Sequence, residues 1–168
     1  MSGQPSLERR EQRYYAGIPI RASLSEWYRV NALVPEIYEW LARNGIVPLG
    51  GPVYRYRTIG DHEREFDLDV GVPTAGPVTG DGRVHAGILP AGRYAVMIHH
   101  GHPDQQVRSH EALQAWVKAQ GLAFALAGAN GTGGDEVWTA RCESYLTNPA
   151  EEPDLTKWST ELAYLLKD

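Results

Sequence analysis

The sequence predicts an α+β fold built from two copies of a strand-helix-strand-strand unit, with antiparallel sheets related by pseudo-two-fold symmetry. Three observations predict this fold. Short segments alternate between apolar and polar residues, as strands do. Longer segments place apolar residues at helical spacing, and one residue pattern recurs at an offset of 76 positions. With 168 residues, 42% of them hydrophobic, the chain is long enough to bury a core.

The chain divides into a tail, two units and a linker. The predicted boundaries are a flexible tail over residues 1–12, a domain over 13–168, a first unit over 13–73, a linker over 74–84 and a second unit over 85–168. The tail is polar and aperiodic, which is typical of frayed termini. The linker is rich in proline and glycine.

The first unit begins with a predicted strand over residues 14–23. Pro19 favours an edge position for this strand, because proline cannot donate a hydrogen bond to a neighbour. A helix follows, with Ser25 as its predicted N-cap. We expect Pro35 to kink this helix and Gly45 to end it in the left-handed conformation.

A hairpin completes the first unit. Its strands are predicted over residues 52–57 and 65–73, with a turn at Gly60 and Asp61. The second of these strands alternates almost throughout. Its apolar face carries Phe66, Leu68, Val70 and Val72.

The second unit repeats this order of elements. Its helix is predicted from Pro103 to Gln120, with Leu113 and Val117 facing inward and Gly121 ending it. Its strands are predicted over residues 92–100, 122–127, 137–147 and 158–166.

The internal repeat is the strongest observation. At the offset of 76, the matched pairs are Trp40 and Trp116, Leu41 and Val117, Gly45 and Gly121, Ile46 and Leu122, Asp67 and Glu143, Val70 and Leu146, and Pro73 and Pro149. One offset aligns the helix end and the hairpin without a gap, which indicates a duplication. The seam between two packed units predicts a central ligand pocket, because clefts between domains are common binding sites. On this alignment, Glu143 projects beside Asp67 and Asp69.

Charge and cysteine content exclude several classes of protein. The net charge is −5, from 16 basic and 21 acidic residues. No basic surface is apparent that could displace counter-ions from phosphates, so direct nucleic-acid binding is not expected. The single cysteine fits a reducing compartment. Without a signal peptide or an apolar run of about 20 residues, the chain is expected to be cytoplasmic and not to bind membranes.

Three stretches of sequence carry motifs in a characteristic order. Residues 143–149 read Glu-Ser-Tyr-Leu-Thr-Asn-Pro, residues 89–96 read Leu-Pro-Ala-Gly-Arg-Tyr-Ala-Val, and residues 67–73 read Asp-Leu-Asp-Val-Gly-Val-Pro. The first resembles the Glu-x-Tyr-x-x-x-Pro signature of GyrI-like small-molecule-binding proteins. The other two resemble the start of that family's second unit and the end of its first. The resemblance covers residues 12–167.

The resemblance implies a duplicated fold and a small organic ligand, a xenobiotic or effector that is hydrophobic or cationic. Such proteins occur as effector-binding domains of multidrug-responsive transcription regulators. Others stand alone as drug-binding or gyrase-inhibitor-like proteins, and some hydrolyse cyclopropane-containing toxins. With only about 12 residues before the domain, we expect a stand-alone binding protein. A cofactor-independent hydrolase and a protein-interaction module, with a topoisomerase or a separate regulator as partner, stay open as alternatives.

The resemblance also implies a site. Glu143 and Tyr145 match the signature, and Glu143 is expected in an aromatic pocket where it meets cationic or polar groups. Further candidates for the pocket wall are Trp138, Tyr94, Tyr56 and Trp27. In a hydrolase, Glu143 would orient water and Tyr145 would stabilise the leaving group. The alternative is a solvated Glu143 with Arg141 as its neighbour on the same strand face.

Three of these expectations depend on strand geometry. Trp138 stands on the opposite strand face from Glu143 unless a bulge intervenes. His99 and His100 point to opposite faces and cannot easily share an ion, so no metal or cofactor is expected. Cys142 alternates toward the core and is expected to be structural.

The glycine-rich run over residues 128–134 is not a phosphate loop, because it lacks the Lys-Ser/Thr pair and a following helix. A flexible hairpin tip is predicted there.

Overall fold

The protein forms one antiparallel sheet with helices on one face. The computed structural model describes residues 3–58, 65–129 and 136–168. The strands are β1 (Ser6–Arg10), β2 (Arg13–Ala22), β3 (Val53–Thr58), β4 (Phe66–Thr74), β5 (His85–Leu89), β6 (Gly92–His100), β7 (Leu126–Ala129), β8 (Glu136–Tyr145) and β9 (Ser159–Leu165). The helices are α1 (Trp27–Asn31), α2 (Leu33–Arg43) and α3 (Gln106–Ala119). Among the described residues, no helix is long and apolar enough to cross a membrane.

The strand order has pseudo-two-fold symmetry. From edge to edge it is β1-β6-β9-β8-β3-β4-β2-β5, with β7 paired to β8 outside this path. In the first half, β3 is followed outward by its hairpin partner β4, then by β2, which precedes the helices, and then by β5. In the second half, β8 is followed outward by β9, then by β6, which precedes α3, and then by β1. The two units are therefore β2-α1-α2-β3-β4 and β6-α3-β8-β9. This arrangement confirms the predicted duplicated α+β fold.

The helices pack on one face of the sheet, which buries its apolar residues. Leu68 and Val70 of β4 pack with Ile37 of α2. In the other half, Leu162 of β9 packs with Leu113 of α3.

The opposite face is the interior of a half-barrel. Tyr15 of β2 and Leu89 of β5 belong to the same buried cluster as Tyr94 of β6. Because β5 and β6 lie near opposite edges of the sheet, those edges must curl toward each other. We call this side the concave face, and the helix-bearing side the convex face.

The two helical segments end in the same way, as the repeat predicts. Gly45 and Gly121 have φ values of 67° and 71°. The next amides, those of Ile46 and Leu122, donate to the carbonyl five residues earlier at 2.9 and 3.1 Å. Both ends are therefore glycine-stopped helix termini of one type.

The start of the first helical segment differs from the prediction. The cap is Ser23 and not Ser25, because the Ser23 amide donates to the Glu26 carboxylate at 3.2 Å and Glu26 stands at the third position after the cap. The predicted kink is a break between α1 and α2, three residues before Pro35. Since proline has no amide hydrogen, Pro35 cannot donate to Asn31, where α1 ends.

The predicted edge position holds only for the second half of β2, because β5 lies outside this strand and pairs with residues 13–17. Pro19 therefore has only β4 beside it.

The offset of 76 does not extend to the hairpins, and that part of the prediction is wrong. By strand order, β3 corresponds to β8 and β4 to β9, because β7 is inserted between α3 and β8. Asp67 and Glu143, Val70 and Leu146, and Pro73 and Pro149 are thus not equivalent. Asp69 lies on the concave face, where it accepts from the Tyr15 hydroxyl at 2.6 Å, and is not beside Glu143.

Three strands begin at places that the sequence did not predict. Residues 6–10, within the predicted flexible tail, form β1 and pair with β6. β5, at the start of the predicted second unit, pairs with β2 of the first unit. β7 begins only at Leu126, after an isolated bridge between Phe124 and Leu166.

Two predicted turns lie wholly or partly outside the described residues. These are the turn at Gly60 and Asp61, and the glycine-rich run from residue 130 onward.

Candidate functional site

Glu143 lies on β8, beside the central strand β3, on the convex face. The residue is buried, with 8% of its surface exposed. The Tyr56 hydroxyl donates to Oε1 at 3.0 Å, and Nε2 of His110 on α3 donates to Oε2 at 2.7 Å. Both carboxylate oxygens therefore meet a donor, which offsets the cost of burying the charge.

The hydrogen bonds continue from His110 to β9. Nδ1 of His110 lies 2.6 Å from the Tyr164 hydroxyl, which also accepts from Nε2 of Gln114 at 3.0 Å. Because Nε2 of His110 donates to Glu143, Nδ1 accepts from Tyr164 in the neutral ring and donates to it in the imidazolium. A chain from Tyr56 through Glu143 and His110 to Tyr164 thus links three strands and α3.

Aromatic rings surround the carboxylate on the side of α1. Trp27 stacks on Tyr56, with ring centres 6.4 Å apart and planes inclined by 12°, and meets Phe66 at 5.8 Å. Tyr145 packs against Tyr54 at 5.3 Å. The five rings form one connected group, and three of them, those of Tyr54, Tyr56 and Tyr145, lie close enough to interact with the charge of Glu143. Aromatic rings beside a carboxylate are suited to organic cations. We call these rings and Glu143 the aromatic cluster.

Two neighbouring acidic groups of the cluster, Glu143 and Tyr56, have pKa values shifted in opposite directions. Burial raises the pKa of Glu143, but the hydrogen bond and charge of His110, the hydrogen bond from Tyr56 and the charge of Arg141 together hold it below its ordinary value. Burial and the adjacent Glu143 carboxylate raise the pKa of Tyr56 well above its ordinary value. At neutral pH the site therefore holds an ionised carboxylate and a neutral phenol.

The structure brings four of the six predicted site residues together. These are Glu143, Tyr145, Tyr56 and Trp27. Trp138 also lies on the convex face, because the pairing of β3 with β8 shifts register between Tyr56 and Thr58. Its ring packs on Tyr164 at 5.5 Å, so it reaches the hydrogen-bond chain but not the carboxylate.

Tyr94 does not join this cluster. It is fully buried on the concave face, where its hydroxyl donates to the Pro90 carbonyl at 2.6 Å. The strand alternation of β6 places it away from α3.

His110 belongs to this hydrogen-bond chain and was not predicted from the sequence. It stands three residues before Leu113 and seven before Val117, both fully buried. This helical spacing puts it on the inward face of α3. A histidine on a buried helix face was the available signal.

Two cavities, of about 280 and 260 Å³, open on the concave side of the sheet, and the second also reaches Tyr145 of the aromatic cluster. In the first cavity, Asp69 accepts from Tyr15 and Arg57 while Arg55 donates to the Ile88 and Thr139 carbonyls. The buried Nε of Arg55 has no hydrogen-bond partner among the described residues. Asp69 in this cavity is hydrogen-bonded to an arginine, whereas Glu143 in the aromatic cluster accepts from a phenol and an imidazole.

The remaining candidate groups have structural surroundings. His99 is buried and bonded to Ser109 at 2.7 Å, whereas His100 is exposed and bonded to Ser159 at 2.8 Å, so the two point to opposite faces as predicted. Cys142 is 1% exposed in the concave-face core. Within the described residues, no group of three or more metal-ligating side chains lies together.

A duplicated strand-helix-strand-strand sheet, with a buried carboxylate among aromatic rings, is the architecture of a small-molecule-binding domain. The chain belongs to the GyrI-like small molecule binding domain family, whose family model matches residues 3–129. The matched part includes Trp27, Tyr56 and His110, and Glu143 follows it in the chain. No curated protein sequence matches the chain.

Solved structures of similar fold include regulators and a ligand complex. The C-terminal domain of EcmrR has a TM-score of 0.72 at 17% identity, covering 98% of this chain and 98% of that domain. EcmrR in its DNA complex has a TM-score of 0.80 at 16% identity, and this chain spans only 57% of it. SAV2435 bound to tetraphenylphosphonium has a TM-score of 0.59 at 11% identity, covering 98% of this chain and 94% of that one. A hydrolase from Listeria innocua has a TM-score of 0.62 at 13% identity, with 98% and 92% coverage.

Proposed function

We propose that the protein binds a hydrophobic organic cation at the aromatic cluster, with Glu143 as the counter-ion. The observation that carries this proposal is a buried, ionised carboxylate among aromatic rings. A hydrogen bond to a charged group contributes about 1.5–3 kcal/mol. A cation over a desolvated ring adds about 2 kcal/mol. SAV2435, a structural neighbour, is bound to tetraphenylphosphonium, which makes this cation the natural first probe.

Ligand entry requires the cluster to open, and α1 is the element best suited to move. It has five residues and ends at the break before α2. A shift of α1 would lift Trp27 from Tyr56 and expose Glu143. The Tyr54 hydroxyl donates to the Asn31 amide oxygen at 2.8 Å and is the tie that such a shift would break.

Titration of the full chain with tetraphenylphosphonium at pH 8 tests the proposal. Glu143→Gln should weaken binding at least tenfold, because it removes the charge and keeps the shape. Glu161→Gln is the matched control, since Glu161 is a part-buried carboxylate on the concave face, paired with Arg10 at 2.8 Å. Equal binding by the wild type and Glu143→Gln would contradict the proposal.

A second candidate is a cofactor-independent hydrolase of cyclopropane-containing electrophiles. The arrangement around Glu143 favours it, because a water molecule that replaced Tyr56 or His110 as the hydrogen-bond donor would meet a carboxylate oxygen that can accept its proton. Tyr56 or Tyr145 would then donate to the leaving group. Mass spectrometry after incubation with such a substrate should detect the addition of one water, and loss of this activity in Glu143→Gln. An unchanged substrate mass would exclude the activity.

The resemblance also supports a protein partner, such as a topoisomerase or a separate regulator, without direct nucleic-acid binding. The net charge of −5 supports the latter point. Co-purification with a topoisomerase tests the former. A cytoplasmic location is proposed on the single, buried cysteine.

A further inference from the structure

We propose that His110 sets the charge of the site, so that a cation binds Glu143 only as His110 gives up its proton. This inference rests on the proposed function and adds that protonated His110 competes with the ligand for Glu143. The carboxylate has two oxygens, and His110 holds one of them at 2.7 Å. When its ring is protonated, His110 is itself the cation bound to Glu143. A ligand cation must then displace it or share the carboxylate with a like charge.

The groups that face His110 make it the switchable charge. On β8 these are Glu143 and Arg141, on β3 Tyr56, and on β9 Tyr164. Arginine stays charged at all relevant pH values. Burial raises the pKa of Tyr164 to about 12, and that of Tyr56 lies well above its ordinary value, so both phenols stay neutral.

The remaining neighbours do not change this conclusion. On α3 itself, Gln114 is uncharged and Glu111 is exposed. Glu143 titrates below its ordinary range. Histidine is the side chain that ordinarily changes charge between pH 5 and 8. The guanidinium of Arg141 lies 4.8 Å from the centre of the Tyr164 ring, so this side of the site carries a fixed positive charge.

As a consequence, the affinity of the site should depend on pH for cations but not for neutral molecules. Binding free energies are reciprocal, so if loss of the His110 proton favours the cation, the cation must favour loss of that proton. The affinity for a permanent cation should rise severalfold as the pH is raised from 5.5 to 7.5, which lies in the range where histidine side chains ordinarily change charge. A neutral ligand of similar shape should lose no affinity at the lower pH.

Calorimetry on the full chain tests this coupling. Tetraphenylphosphonium and the neutral triphenylphosphine oxide are titrated at pH 5.5, 6.5 and 7.5, in two buffers of different ionisation enthalpy. We expect the cation to release protons on binding at pH 5.5 and the neutral ligand to release none. His110→Gln keeps a donor near Glu143 but cannot titrate, so its cation affinity should be flat with pH. His100→Gln, at an exposed histidine, should behave as the wild type.

The outcomes separate the coupling from the proposed function. Cation binding without pH dependence or proton release would overturn the coupling and leave the binding proposal intact. Failure of the cation to bind at any pH would overturn both. A ligand-independent test uses the NMR titration of the His110 ring, whose midpoint should fall by at least one pH unit in Glu143→Gln. An unchanged midpoint would refute the ion pair on which the inference depends.

Discussion

Replacing Tyr56 with phenylalanine tests the ionised state of Glu143, because it removes a single hydroxyl group that donates to the carboxylate. Tyr56→Phe removes the donor that lies 3.0 Å from Oε1 of Glu143. It keeps the ring that stacks on Trp27. The change therefore isolates one buried hydrogen bond to a carboxylate.

The size of the effect follows from the charge of the acceptor. Hydrogen bonds to charged groups contribute about 1.5–3 kcal/mol, and those between neutral groups about 0.5–1.5 kcal/mol. Tyr54→Phe is the matched control, because the Tyr54 hydroxyl donates to the neutral amide oxygen of Asn31 at 2.8 Å. We expect Tyr56→Phe to lower the free energy of unfolding by about 1.5–3 kcal/mol and Tyr54→Phe by about half as much.

The pH dependence of this loss has a definite sign. The pKa of Glu143 is lowered by folding, so its ionised form contributes stability above the unfolded pKa. That contribution is lost as the pH falls through the folded pKa. Since Tyr56 stabilises the ionised form, the cost of Tyr56→Phe should shrink on acidification from pH 7 to pH 3, which lies below the ordinary pKa of a glutamate side chain. The cost of Tyr54→Phe should stay constant.

Urea unfolding followed by tryptophan fluorescence measures both variants at both pH values. The reasoning is refuted if Tyr56→Phe costs less than Tyr54→Phe at pH 7. It is also refuted if the two costs change in parallel with pH.

Three further predictions concern the rest of the fold. Gly87→Ala should lower stability by about 1–3 kcal/mol in thermal unfolding, because an added Cβ would overlap the Tyr15 ring, whereas Gly76→Ala, which meets open space, should be nearly neutral. Equal melting temperatures would contradict this packing. Burial raises the pKa of Cys142 to about 12, so iodoacetamide should label it at pH 8 only after unfolding; rapid labelling of the native protein would disprove its burial. Deleting residues 1–10 removes β1 and the Arg10–Glu161 ion pair, so the midpoint of urea unfolding should fall. An unchanged midpoint would show that β1 adds no stability.

Local patterns account for the elements that the sequence predicted well. The alternation of Phe66, Leu68, Val70 and Val72 identifies the convex face of β4, and all four pack in the first core. Gly45 and Gly121 end their helices through backbone geometry that depends on the glycine itself. These features are encoded within a few residues of where they appear.

Pairing between distant strands accounts for most of what the sequence did not predict. β1 is exposed along most of its length, so its residues carry no apolar alternation, and only its hydrogen bonds to β6 define it. Because β7 is inserted, the hairpin that corresponds to β3 and β4 is formed by β8 and β9. A constant offset of 76 residues cannot represent such an insertion. The register shift between β3 and β8 turns Trp138 to the convex face.

The candidate site was predicted in part for similar reasons. Glu143 and Tyr145 follow from the sequence motif, and Tyr56 lies on a strand with clear alternation. His110 joins them only because the packing of α3 on the sheet brings its Nε2 to within 2.7 Å of Glu143 on β8. Tyr94 is separated from them because β6 turns its ring into the half-barrel.

The most direct test of the central claim is a structure of the protein with tetraphenylphosphonium. We predict that the cation lies on the convex face, that Glu143 is the nearest charged group, and that the Trp27 ring has moved off Tyr56. A cation held in the half-barrel interior, beside Tyr15 and Asp69, would contradict the assignment of the aromatic cluster as the binding site.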